Sequence, residues 1–157
     1  MALNRHVILG LTAAALTATG VFAASHTTPE GAAIKARQAQ MQLYAYNIGT
    51  LGAMAKGAVA FDAGAAQAAA DNLAALATLN QMSYWLPGTS TADMEGTKAL
   101  PAIWQNGADV GNKAKGLVEA TMAMQAAAGS LEGVQGAIGA LGGACGACHK
   151  AYRQSDS

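Results

Sequence analysis

Ser130-Leu131-Glu132-Gly133-Val134-Gln135-Gly136-Ala137-Ile138-Gly139-Ala140-Leu141-Gly142-Gly143-Ala144-Cys145-Gly146-Ala147-Cys148-His149-Lys150-Ala151-Tyr152 is the stretch that decides how this chain folds. Leu131, Val134, Ile138, Leu141, Cys145, Cys148 and Tyr152 recur every three or four positions, which gathers them on one face of an α-helix. Ser130 is a capping residue, and Glu132 puts a negative charge in the first turn, where free N–H groups favour it. Against the helix stand Gly133, Gly136, Gly139, Gly142, Gly143 and Gly146, which together disfavour it by roughly 6 kcal/mol at about 1 kcal/mol each. So bare a helix needs a flat or bulky partner, and a large apolar ligand close to its backbone meets that need.

Upstream, three more stretches follow the same period. Thr28-Pro29-Glu30 reads as an N-cap, a proline at the first helical position and an acid in the first turn. From there Ile34, Met41 and Ile48 recur every seven residues, with Arg37, Tyr44 and Leu51 three further on, until Gly57 stops the helix. Asp62 caps an alanine-rich second helix with Leu73, Leu76 and Leu79 inward, ending between Asn80 and Leu86. Pro87-Gly88 and the polar residues through Thr97 are expected to form a long crossover loop. Pro101 opens a third helix to about Ala128, with Ile103, Val110, Ala114, Leu117, Thr121 and Met124 inward. The expected class is all-α, an antiparallel four-helix bundle.

The chain has 157 residues, the length of one ordinary domain. Hydrophobic residues make up 52% but aromatic ones only 5%, so small side chains dominate the interior. Nine Lys or Arg balance nine Asp or Glu, with no basic run to neutralise successive phosphates, which argues against a nucleic-acid partner. High hydrophobicity without net charge argues against disorder. At the N-terminus, a basic start ending at Arg5 precedes an uncharged run from Val7 to Val21 and a small-residue site at Val21-Phe22-Ala23, the pattern of a secretory signal peptide. The expectation is a signal over residues 1–23 and a mature domain over 24–157, exported, without stable membrane insertion after cleavage.

Cys145-Gly146-Ala147-Cys148-His149 specifies the chemistry of the missing partner, because C-x-x-C-H is the attachment order of c-type haem. Cysteines three apart on a helix point the same way, so both sulfurs can add to the vinyl groups of one porphyrin, with His149 on that face as iron ligand. A thioredoxin-like dithiol would place its first cysteine at a helix N-terminus, whereas these lie in the last turns. A zinc site would need a fourth ligand, and beyond the signal only His26 offers another imidazole.

Cys145 to Arg153, read as C-G-A-C-H-K-A-Y-R, together with Arg37-Gln38 and the Pro87-Gly88-Thr89-Ser90 loop, resembles the cytochrome c prime family from about Pro29 to Arg153. The resemblance implies an antiparallel bundle with one covalent haem c near one end, often paired as a dimer through the first two helices. It also implies two distal arrangements, one with no sixth protein ligand and one in which a methionine fills that place. Met41 and the stretch Leu51-Gly52-Ala53-Met54-Ala55-Lys56-Gly57 are similar to the methionine-ligated subgroup. On that likeness His149 and Met41 are the iron ligands. Arg37 reaches a propionate with its planar fork, and Arg153 partners the proximal side. Tyr44, Tyr152, Trp85 and Trp104 are read as core packing near the haem edges.

The expected function is that of a periplasmic one-electron carrier for redox protein partners. The alternative is a five-coordinate protein that binds nitric oxide or carbon monoxide. No nucleophile beside a base and no carboxylate pair stands out, so no enzyme is expected.

Overall fold

The computed structural model describes residues 28–155, so the signal segment 1–23 and His26 lie outside the described residues. Five helices follow one another: α1 (Pro29–Ala55), α2 (Ala63–Thr78), the four-residue α3 (Ala102–Gln105), α4 (Gly107–Ala127) and α5 (Leu131–Tyr152). A single 3-10 turn, Met82–Tyr84, lies between α2 and α3. The all-α reading holds.

Three of the four helix starts read from the sequence carry the side-chain cap expected of them. Thr28 Oγ1 accepts from Gly31 N at 3.1 Å, Asp62 Oδ1 from Ala65 N at 2.8 Å, and Ser130 Oγ from Gly133 N at 3.1 Å, each satisfying an orphan first-turn donor. Gly57, with φ +71°, takes the left-handed conformation that ends α1. The third expected helix is interrupted. Asn106, with φ −121° and ψ 46°, separates α3 from α4, and its side-chain Nδ2 donates back to Ala102 O at 3.1 Å.

α1 packs against α2 and α5, and α4 packs against the same two helices, so the four long helices form a square with antiparallel neighbours. Leu51, Leu73, Met124, Val134 and Leu141 are fully buried at its centre, joined by Tyr44, Met54, Ala66, Ala69 and Ala70. Ala114 and Leu79, expected inward, are exposed.

The connection over residues 79–101 is not a crossover. α2 ends and α3 begins at the same end of the bundle, so the chain folds over that end and closes it. Thr89, Ser90 and Thr97 of this loop are buried. Leu100 N donates to Tyr152 O at 3.0 Å and Gln154 N to Lys98 O at 2.8 Å, fastening the loop to the residues that follow the C-x-x-C-H motif.

Candidate functional site

The last turns of α5 carry Cys145, Cys148 and His149. Both cysteines are free and half-buried, and burial is the leading cause that pushes both thiols up. Three residues apart, they share a face of α5. His149 is exposed at its edge, yet desolvation, followed by the charge of Arg153, lowers its pKa and favours neutral imidazole, the form with a lone pair for a metal. This donor set fits a haem c: two thiols that can add across two vinyl groups and one neutral imidazole beside them.

The glycines around the motif are exposed and leave the backbone of α5 bare. A Cβ added at Gly142 or Gly146 of α5 would meet no neighbouring element within 4 Å. Of the α5 glycines, only Gly133 is forced by the protein itself, since a Cβ there would collide with the Ala127 carbonyl.

α1 is the opposite wall. Gln135 Nε2 donates to Ala55 O at 3.0 Å, and Tyr44 lies within electrostatic reach of Cys145, so each step down α1 is matched by a step up α5. This register puts Met41 level with His149 and Arg37 level with Arg153. The buried stripe of α1, however, is Ala33, Ile34, Arg37, Gln40, Tyr44, Asn47, Leu51 and Met54. Met41 stands beside that stripe and is 38% exposed, as His149 opposite it is also exposed, so the polypeptide alone does not bury the pair. Gln40 and Asn47 are the polar residues that hold the inward places.

Arg37 is buried, as its heptad predicts, but its partners belong to the loop. Nη1 donates to Thr89 Oγ1 at 2.7 Å and Tyr84 O at 3.2 Å, and Nη2 to Thr97 Oγ1 at 2.8 Å and to Thr89 O. The guanidinium carbon lies 5.0 Å from the Trp85 ring centre and 5.9 Å from that of Trp104, within cation–π range. The indole Nε1 of Trp104 also donates to Trp85 O at 3.0 Å. This cage escaped the sequence reading, although a buried arginine beside a threonine-rich loop was its available signal. Gln38, next to Arg37, donates through Nε2 to Gly96 O at 2.6 Å.

On the α4 side, Tyr152 Oη donates to Asp109 Oδ2 at 2.6 Å, and Lys113 Nζ stands 3.4 Å from the same oxygen. That bond holds the Tyr152 phenol up at about 12 and the Asp109 carboxyl below its usual range. Both Lys113 and Asp109 act on Cys148, so the motif is flanked by one charge of each sign. Arg153 follows α5 with extended backbone and bridges to Ala99.

A bundle of four long helices with a C-x-x-C-H motif ending its last helix defines a c-type cytochrome of the helical-bundle class. Residues 32–153 match the profile of the family described as Cytochrome C′. A relative named cytochrome c-554, from Cereibacter sphaeroides, is 44% identical over 124 residues, spanning 78% of this chain and 81% of the relative. A solved cytochrome c′ from Rhodobacter sphaeroides superposes with a TM-score of 0.79 at 36% identity, covering 81% of this chain and 98% of that one. A carbon monoxide-bound variant of the cytochrome c prime from Alcaligenes xylosoxidans gives 0.70 at 33% identity, covering 81% and 97%. The chain belongs to the cytochrome c prime family.

Proposed function

We propose that this chain carries one haem c, bound through Cys145 and Cys148 and ligated by His149, with the opposite face of the iron open to nitric oxide or carbon monoxide. The observation that carries the proposal is the likeness to proteins named cytochrome c′, among them a relative 41% identical over 129 residues and the solved cytochrome c′ from Rhodobacter sphaeroides. The carbon monoxide complex formed by a variant of the Alcaligenes xylosoxidans relative supports it further. Haem supplies an iron that exchanges one electron and binds a neutral diatomic molecule. The chain's own residues hold the macrocycle, keep the imidazole neutral and close the end of the bundle with the loop caged around Arg37.

A second reading keeps Met41 as sixth ligand in a His/Met electron carrier. The α1–α5 register favours it, since Met41 lies level with His149, and a thioether is a soft ligand suited to haem iron. The visible spectrum of the oxidised protein decides between the two. The five-coordinate reading expects a high-spin spectrum and prompt carbon monoxide binding by the reduced protein. A thioether–iron charge-transfer band with no gas binding would overturn it.

The proposal is of a binding and redox protein rather than an enzyme, acting in the periplasm, where the N-terminal signal pattern would send it. No described helix is long and apolar enough to cross a membrane. Pairing of two copies through α1 and α2 belongs to the same proposal, supported by exposed Leu43 and Leu79 around a groove floored by Leu76 and Ala75.

A further inference from the structure

At the start of α4 three side chains meet that the attachment of a haem does not require. Tyr152 Oη donates to Asp109 Oδ2 at 2.6 Å, and Lys113 Nζ stands 3.4 Å from that same oxygen. One carboxylate oxygen therefore holds a phenol from α5 and an ammonium from its own helix. Lys113 is four residues after Asp109, about one turn along α4, and Cys148 is four residues before Tyr152, about one turn back along α5. The two helices pack on each other as antiparallel neighbours, so the pairing of Asp109 with Tyr152 brings Lys113 level with Cys148.

The electrostatics agree with the register. After burial, Lys113 is the first charge to act on the Cys148 thiol, ahead of Asp109. Shelter from water explains the ranking together with position. The Lys113 side chain is 24% exposed and that of Asp109 52% exposed, so solvent screens the carboxylate more than the ammonium. Lys115, two residues on, stands on another face of α4, and Lys150 and Arg153 are exposed beyond the motif. Lys113 thus combines shelter from water with a place beside Cys148.

We propose that Lys113 is a fixed positive charge that biases the haem attached at Cys148 toward its reduced state, and that Asp109 and Tyr152 are the residues that position it. This rests on the covalent-haem reading given above and is independent of what lies opposite His149. Oxidised iron carries one positive charge more than reduced iron, so a cation held beside the macrocycle destabilises the oxidised form and raises the reduction potential. A lysine loose in water would exert little of this influence, because its charge would be screened and its side chain would wander. Tyr152 adds no charge of its own, since its phenol is held up at about 12. Its bond fixes the carboxylate, and the carboxylate fixes the ammonium.

The test is a potentiometric titration of the haem-bearing wild type and three variants, followed by the visible spectrum. Lys113→Met keeps the length of the side chain without its charge, and the equilibrium constant for reduction is expected to fall about threefold, which at about 59 mV per tenfold is a drop of about 28 mV. Lys113→Arg keeps the charge and is expected to keep the wild-type potential. Asp109→Asn removes the opposing charge but leaves an oxygen for Tyr152, so its potential is expected to rise. An unchanged potential in Lys113→Met, equal shifts in the two Lys113 variants, or a fall in Asp109→Asn overturns the inference, because a merely structural role would not separate the variants by charge. If Lys113→Met does not fold, the sign of the Asp109→Asn shift decides alone. A wild type that carries no covalent haem overturns the haem reading itself.

Discussion

Arg37 and Tyr44 lie two turns apart on the same buried stripe of α1, and the protein treats them in opposite ways. Arg37 brings a charge into the interior and receives two threonine hydroxyls, two backbone carbonyls and two indole faces, all from the loop over residues 79–101 and the turn that follows it. Tyr44 brings only a hydroxyl, with the Gln40 side chain beside it but no bond of good geometry among the described residues. The more costly group is fully provided for and the cheaper one is left waiting. The contrast sets an end tied together by the polypeptide's own hydrogen bonds beside a middle where the proposed haem would lie as a guest.

The contrast can be broken most strongly by removing the guest. With Cys145→Ala and Cys148→Ala, covalent haem is lost. Amide resonances around Tyr44 and Leu141 are expected to broaden, while those around Arg37 and Thr89 stay sharp. Uniformly sharp resonances would mean that the middle completes itself.

Next in size is Arg37→Gln. Shortening the side chain leaves the Thr89 and Tyr84 carbonyls unpaired, and unsatisfied buried groups of this kind cost about 1–3 kcal/mol each, so a loss near 3 kcal/mol is expected in denaturant unfolding. The visible spectrum should keep its axial-ligand features, because the cage is made by the loop. A changed spectrum with unchanged stability would place the guanidinium in the haem's service instead.

Thr97→Val sharpens the same point on a smaller scale. It removes one hydrogen bond to a charged donor, and about 1.5–3 kcal/mol is the usual worth of such a bond. A value near the lower bound is expected, since Trp85 and Trp104 still hold the guanidinium between them.

The smallest effect is a pH slope. Tyr44 and Tyr152 are both pushed up to about 12, the first chiefly by burial and the second chiefly by its bond to Asp109. An unfolded tyrosine titrates near 10. Below about pH 10 both states keep the protons and stability is flat; between about pH 10 and 12 the unfolded chain releases protons that the native one retains, so stability falls as pH rises. Tyr152→Phe should remove one tyrosine's share of that slope and leave Tyr44's share in place. An unaltered slope would show that Tyr152 titrates normally.

Much of the architecture was legible because it rests on local chemistry. Thr28, Asp62 and Ser130 announce helix starts by the same side-chain oxygens that accept from Gly31, Ala65 and Gly133. The C-x-x-C-H motif was equally legible, since its spacing alone places its thiols together. What failed was the choice between adjacent stripes of α1. Ile34-Met41-Ile48 and Arg37-Tyr44-Leu51 are neighbours on the helix surface, and apolar periodicity favours including methionine over including glutamine or asparagine. Tertiary packing buried Gln40 and Asn47, because across the α1–α2 contact Leu76 O accepts from Gln40 and Asn72 Nδ2 donates to Asn47 Oδ1. No pattern within α1 reveals that. The break at Asn106 was hidden for a similar reason, since asparagine within an apolar-periodic run looks like a solvent-facing residue.

The fastening of residues 98–100 to residues 152–154 also has a consequence in time. Its two sides are separated in sequence by the whole of α3, α4 and α5, and contacts of such span form after local helices have done so. Thr97, which holds one fork of Arg37, adjoins this clasp. The arginine cage is therefore finished late, only when the turn beyond His149 has arrived. Until then this end of the bundle lacks the cover in which Thr89, Ser90 and Thr97 are buried. The pairing thus ranks the parts of the molecule in time, with the helices first and the arginine end last.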